Sequence, residues 1–305
     1  MSRRVHVRVP ATSANLGPGF DALGLALSLY NEVEASPAAA TTVSIEGAGA
    51  GRLPTNEKNV VVRAIRLAYE AGGHVAEGWT VRCVNRIPSA RGLGSSAAAW
   101  VAGLAAGNAL LGSQLDRAAL LRLAARAEGH PDNVAAAVYG GLTVVAGEGD
   151  GVVALTLPVP ASLVWVVLVP DVTSATSEAR AVLPATVPRA DAVFNVQRVA
   201  LLLASLQQGR LDTLGAALDD RLHQPYRRRL FPWMPAVADA AREAGALGCV
   251  LSGAGPSLLA ITADADVSQA VAAAMENALA QARVGGTARV LGVDTEGVVV
   301  VEHAA

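Results

Sequence analysis

The chain has 305 residues, 52% of them hydrophobic, and a formal net charge of −2, which leaves room for one large domain or two of ordinary size. The near-neutral balance offers no basic face for nucleic acid. The apolar content is largely Ala and Val in amphipathic runs that Gly, Pro or charge interrupts well short of a membrane span, so neither partner is expected.

Met1-Ser-Arg-Arg4 leads straight into the alternating strand Val5 to Val9 rather than into a signal-peptide core, and a cytoplasmic protein is the expectation. Pro10 ends that strand. Ala11 to Gly24 then strings together Thr, Ser, Asn, Gly and Pro before Leu25 to Ala35 resumes a strand pattern. Asn15 and Asp21 lie in this loop, readable as a turn residue and a local cap or as ligands for substrate polar groups. After a short strand at Thr42 to Glu46, Asn59 precedes an amphipathic helix carrying Val62, Ile65 and Tyr69 at helical spacing and stopped by Gly72-Gly73. Asn59 is either a helix cap or a residue facing a ligand.

Trp79 to Ile87 alternates like a half-buried strand, and Ala97 to Leu111 is rich enough in Ala and Leu for a buried helix. Between them stands Pro88-Ser-Ala-Arg-Gly-Leu-Gly-Ser-Ser-Ala-Ala98. A glycine-rich turn that opens a helix presents unpaired N–H groups at the positive end of the helix dipole, which suits phosphate. Gly92 and Gly94 let backbone approach a polyanion, and the Ser95 and Ser96 hydroxyls suit a phosphate oxygen or a magnesium ion. A Walker-type loop is excluded, because Lys58 is the only lysine and lies upstream. A dinucleotide fingerprint with Asp116 as ribose acid, and a plain capped turn, remain open at this point.

Asp116 reads as the cap of a helix whose apolar face holds Leu120, Leu123, Ala124 and Ala127. Glu128 falls at its end, where the dipole disfavours a carboxylate, and so calls for a partner, Arg126 or another group. His130-Pro-Asp-Asn133 follows, with Pro131 at a helix start. None of the histidines has zinc spacing, and Cys83 and Cys249 read as buried thiols. Pro158-Val-Pro160 is the expected boundary between domains 1–158 and 161–305, since a proline pair does not sit in a central strand. A buried strand ending at Pro170, a helix start at Thr173 to Arg180, an amphipathic helix through Val196 and Leu203, and the basic run Arg227-Arg-Arg229 come next. Strands at Leu247 to Leu251 and Leu258 to Thr262 flank the glycine turn Ser252-Gly-Ala-Gly-Pro-Ser257. Helix Val267 to Ala282 and edge strands at Arg289 to Val293 and Val298 to Glu302 complete a split βαβ order.

Three of these stretches together resemble the motifs of the GHMP small-molecule kinases, in the right order. They are Pro10-Ala-Thr-Ser-Ala-Asn-Leu-Gly-Pro-Gly-Phe-Asp21, the central loop, and Leu251-Ser-Gly-Ala-Gly-Pro-Ser257. The first motif and Glu128-Gly-His-Pro-Asp-Asn133 are most similar to those of homoserine kinases. The resemblance implies a two-lobed α+β fold, with a ribosomal S5 domain 2-like N-terminal nucleotide-binding lobe and a ferredoxin-like C-terminal substrate lobe. It implies ATP and magnesium, with L-homoserine as phosphoryl acceptor in threonine biosynthesis, and a homodimer is the expected assembly.

By the same resemblance, Asn59 and Pro88, Ser89, Ala90, Arg91, Gly92, Leu93, Gly94, Ser95, Ser96, Ala97 and Ala98 serve the nucleotide, and Ser96 with Glu128 holds the metal. Asn15, Asp21, His130, Asn133, Thr176, Arg180, Arg227, Gly253 and Gly255 serve the acceptor. Arg180 and Arg227 would clamp its carboxylate, whose geometry fits a guanidinium fork, and Asp21 its ammonium. Asp132 is the chemically obvious base. The resemblance instead puts Asn133 beside the hydroxyl, so no strong enzymic base is expected. Two rivals are a GHMP kinase for another small alcohol such as mevalonate, and a non-catalytic sensor of ATP and a metabolite.

Overall fold

The computed structural model describes residues 4–303. Its first sheet is built from β1 (Arg4–Ala14), β2 (Leu23–Ala38), β3 (Thr42–Gly47), β4 (Gly78–Asn85), β5 (Leu142–Ala146) and β6 (Val153–Leu157). Alternation explains the faces. Val5, Val7 and Val9 are buried on β1, while Arg4 is exposed and His6 and Arg8 are half-buried. On the outward face Arg82 bridges Glu34 and Glu46 at 3.1 and 2.9 Å. Such exposed pairs add little stability and mainly keep the surface polar.

Helices α1 (Val60–Ala71), α2 (Ser95–Leu110), α3 (Arg117–Glu128) and α4 (Asp132–Tyr139) belong to this lobe, with α2 and α4 against β1 and β2. α2 is apolar on nearly all sides because it runs through the core; Trp100, Val101 and Leu104 are buried in it. Asp116 accepts from the Ala119 N–H at 2.7 Å and caps α3, so it is no ribose ligand.

After β6 the chain leaves the first sheet through Pro158 and Pro160. It enters a second with β7 (Val164–Pro170), β8 (Gly248–Leu251), β9 (Leu258–Thr262) and β10 (Gly286–Leu291), in spatial order β10-β7-β9-β8, all antiparallel. Between β7 and β8 lie α5 (Thr176–Ala181), α6 (Arg189–Gln208), α7 (Leu214–Ala217), α8 (Gln224–Arg227) and α9 (Met234–Glu243), and α10 (Ala265–Gln281) links β9 to β10. This is the ferredoxin-like order expected. Two elements depart from expectation. Pro10 does not end β1, which shifts register between Pro10 and Ala11 and stays paired with β2 to Ala14. β11 (Val299–His303), expected as an edge of the C-terminal half, instead pairs antiparallel with β1 at the edge of the first sheet. No helix among the described residues is long and apolar enough to cross a membrane.

Candidate active site

The end of β1 and two loops far apart in sequence meet between the lobes. Ser252 Oγ donates to Gly92 O at 2.7 Å and lies within hydrogen-bond distance of Ser13 Oγ, its remaining partner, at 2.8 Å, and the Gly253 N–H donates to Ala14 O at 3.1 Å. The Thr12 N–H donates to Leu93 O at 3.1 Å. Gly92 (φ +73°) and Gly94 (φ +66°) are in the left-handed region, and a Cβ on Gly94 would overlap Thr12 Oγ1. The central loop is therefore glycine-rich for two reasons, its backbone conformation and the chains packed against it.

Gly94 is the residue at which α2 begins, and Ala98 is the first N–H to close back on it, at 2.8 Å. The N–H groups of Ser95 to Ala97 precede that bond and lie at the positive end of a sixteen-residue helix. On one side of this turn is a cleft of about 630 Å³, and on the other a more apolar pocket of about 720 Å³. Ala90, Ser95 and Ser96 line both.

The apolar pocket is walled by Ile45, Leu53, Pro54, Val60, Val61 and Cys83, with Asn31, Asn59 and Asn85 as polar points. Asn59 caps α1, its Oδ1 accepting from the Val61 N–H at 2.9 Å and its Nδ2 donating to Pro54 O at 2.7 Å, while also lining the pocket. Asn59 is thus a helix cap that also lines the pocket. Asn31 was not anticipated; its Oδ1 accepts from the Arg86 and Ile87 N–H groups at 2.8 and 2.9 Å and fixes the strand-to-loop turn. Of the loop residues expected at the nucleotide, Ser89, Ala90, Ser95 and Ser96 reach this pocket, and Ala90, Arg91, Gly92, Leu93, Gly94, Ser95 and Ser96 reach the cleft. Pro88, Ala97 and Ala98 line neither, and the two alanine methyls lie in the core, where α2 packs on the first sheet. The Arg91 guanidinium turns to Pro170 O and Asp171 O, at 2.7 and 3.1 Å.

The cleft brings together Asn15, Asp21, Glu128, His130, Asn133, Thr176, Arg180, Arg227, Gly253 and Gly255, with Asp132 and Ser174 beside them. Asn15 is tied at both ends, donating to Gly253 O at 2.9 Å and accepting from the Asp21 N–H at 3.0 Å. It joins the loop after β1 to the turn between β8 and β9. Arg180 forks onto Asp21, Nη1 to Oδ2 at 3.0 Å and Nη2 to Oδ1 at 2.7 Å. Of the three adjacent arginines only Arg227 lines the cleft. It is 2% exposed, donating from Nε to Ala179 O at 3.2 Å and from Nη1 to Gly253 O at 3.0 Å and to His223 Nδ1 at 3.1 Å. Burial, then the charge of Arg180, pulls the Arg227 guanidinium down to about 10. His223 Nε2 donates to Gly17 O at 2.7 Å, so its ring is the neutral tautomer with Nδ1 as acceptor. Burial foremost pulls it down to about 4. Neither His223 nor Phe20, stacked on it with centroids 5.1 Å apart, carried a sequence signal beyond its neighbours.

Glu128 ends α3 and accepts from Ser96 Oγ at 2.7 Å, while Arg126 pairs with Asp150. The dipole penalty noted in the sequence is therefore answered by Ser96. Burial holds the Glu128 carboxyl above its usual range, against the Ser96 hydrogen bond and the charge of His130. Burial alone would lower His130; the hydrogen bond to Asp132 at 3.1 Å and the charges of Asp132 and Glu128 outweigh it and raise it. Among the described residues no cluster of three or more His, Cys, Asp or Glu could hold a metal. Two hard oxygen donors at the mouth of a phosphate turn still fit magnesium, which takes few protein ligands and completes its shell with phosphate and water. Asn133 Oδ1 accepts from Thr12 Oγ1 at 2.8 Å, and its backbone N–H donates to Asp132 Oδ1 at 2.7 Å.

Known proteins resemble this chain. The family description GHMP kinases N terminal domain matches residues 59–141, and GHMP kinases C terminal matches residues 202–281. A homoserine kinase of Moorella thermoacetica is 48% identical over 254 residues, 83% of this chain and 86% of that protein. One of Trichormus variabilis is 45% identical over 295 residues, 96% and 97% of the two chains. The crystal structure of homoserine kinase from Cytophaga hutchinsonii superposes with a TM-score of 0.90 at 34% identity, covering 98% of this chain and 97% of that one.

Proposed function

The chain belongs to the GHMP kinase family, within it to the homoserine kinases, and on that premise we propose that it transfers the γ-phosphoryl group of ATP to the side-chain hydroxyl of L-homoserine, giving ADP and O-phospho-L-homoserine. One observation carries the reading at the level of the site. The helix-opening phosphate turn separates an apolar pocket from a charged cleft, and Ser95 and Ser96 line both. A nucleoside in the first and an amino acid in the second put donor and acceptor on either side of the same N–H groups.

Phosphoryl transfer asks a protein mainly for position and charge neutralisation. The Ser95 and Ser96 amides face the oxygens on which charge accumulates. Arg227, fixed by three acceptors, and Arg180 receive the acceptor's carboxylate; Asp21 receives its ammonium. Ser96 and Glu128 would hold magnesium, which when bound neutralises phosphate charge. With its Oδ1 taken by Thr12 and one Nδ2–H near Asp132 Oδ1 at 3.4 Å, Asn133 has its second Nδ2–H to orient the acceptor hydroxyl as a donor, without removing its proton. Asp132 stays occupied with His130 and the Asn133 N–H. ATP as donor and an amino acid as acceptor are consistent with the cytoplasm.

The test is product identity. Incubation with Mg-ATP and L-homoserine gives a phosphomonoester on the side-chain oxygen by ³¹P NMR and mass spectrometry; a phosphoramidate, an acyl phosphate or free phosphate alone would refute the assignment.

A further inference from the structure

Asp21 and Arg180 form a two-pronged ion pair. Both carboxylate oxygens meet both terminal guanidinium nitrogens, at 2.7 and 3.0 Å, across 159 residues of sequence. Asp21 is held in the left-handed region (φ +56°), its N–H bonded to Asn15 Oδ1 at 3.0 Å, so its carboxylate is aimed by the main chain. Arg180 comes from the last turn of α5 in the other lobe. Arg227, also in the cleft, differs: its contacts are neutral acceptors, and it has no carboxylate partner among the described residues.

An amino acid brings one group for each half of the Asp21–Arg180 pair. We propose that the zwitterion inserts into this pair: its ammonium replaces Arg180 on Asp21, and its carboxylate replaces Asp21 on Arg180, with Arg227 as second donor. One ion pair opens and two form, so every charge remains matched. A ligand with the same hydroxyl arm but a single charge, such as 4-hydroxybutyrate or 3-aminopropan-1-ol, opens the pair and satisfies only half of it. The group left over loses a charge-assisted bond in a cleft where both side chains are a little over one-third exposed (38% and 37%), so water replaces that bond only in part and the single-charge ligand binds more weakly. The two charged ends of the acceptor are thus recognised jointly rather than by independent subsites, and the pair works as a filter for α-amino acids. This inference rests on the reading of the cleft as the amino-acid site.

Two readouts test it. In a crystal structure of the homoserine complex the Asp21 and Arg180 side chains are separated beyond 4 Å, the usual salt-bridge limit. An intact pair with homoserine bound beside it overturns the exchange. In calorimetry near 0.5 M salt, where charges out of contact are screened, Asp21→Asn binds 4-hydroxybutyrate roughly threefold to fivefold tighter than the parent, because Arg180 is already released. Arg180→Gln binds 3-aminopropan-1-ol tighter by the same logic, and both variants bind homoserine more weakly. Retained ATP binding reports that each variant is folded, and if one is not, the other decides. Single-charge ligands bound equally or more weakly by a folded variant overturn the proposal. Failure of the parent to bind homoserine at all would instead sink the assignment of the acceptor.

Discussion

The Thr12 hydroxyl donates to Asn133 Oδ1 at 2.8 Å, joining the end of β1 to the start of α4 across 121 residues. That bond fixes the flip of the amide; with one Nδ2–H near Asp132 Oδ1 at 3.4 Å, the other is left for the acceptor hydroxyl. Thr12→Val keeps the shape and removes the donor. Loss of one positioning hydrogen bond is expected to lower kcat roughly tenfold, with the KM for ATP unchanged and Thr12→Ser close to the parent. Steady-state kinetics of the two variants check this.

Asp132 is 3% exposed and its Oδ1 serves His130 and the Asn133 N–H, which is the work of a positioning group. Asp132→Asn therefore keeps kcat within about tenfold of the parent. A loss on the order of 10² or more, the general-base range, would make Asp132 the base.

Ser96 and Glu128 converge at 2.7 Å beside the phosphate turn. Glu128→Gln is expected to raise the magnesium concentration for half-maximal rate by at least about tenfold, since a neutral amide is a poor ligand for a hard cation. Metal-free binding of a fluorescent ATP analogue stays the same. Chelation with EDTA stops turnover of the parent.

His223 is fully buried and neutral, accepting from Arg227 at 3.1 Å, and its folded value of about 4 lies below the ordinary 6.5. Between those two values the unfolded chain binds the extra proton, so stability is complete above about pH 6.5 and is lost as pH falls toward 4. The slope from this one group reaches at most about 1.4 kcal/mol per pH unit. Chemical denaturation at a series of pH values should show a shallower acid limb in His223→Gln, whatever that variant's stability at pH 7.5.

Much of this was legible because the informative stretches are local. Gly92, Gly94, Ser95 and Ser96 announce a phosphate turn through backbone freedom and hydroxyls, and alternation in Val5 to Val9 announces a buried face. What sequence does not carry is pairing at a distance. Alternation tells which face of a strand is buried but not which strand lies beside it, so β11 was expected at the edge of the C-terminal half rather than against β1. The Thr12–Asn133 and Asp21–Arg180 bonds are invisible for the same reason. The basic run Arg227-Arg-Arg229 is ambiguous as a string; one short helical turn sends Arg227 inward and leaves Arg228 and Arg229 exposed. The apolar pocket escaped because Asn31, Ile45, Leu53 and Cys83 come from three strands and a loop, none with a motif.

The most direct test of the account is the rate of ADP release with Mg-ATP against L-homoserine, L-serine and mevalonate, for the parent and Arg180→Ala. The account predicts turnover of homoserine alone, reduced in Arg180→Ala chiefly through a higher KM for the acceptor. Mevalonate as the preferred acceptor, or ATP bound with no acceptor turned over, would contradict it.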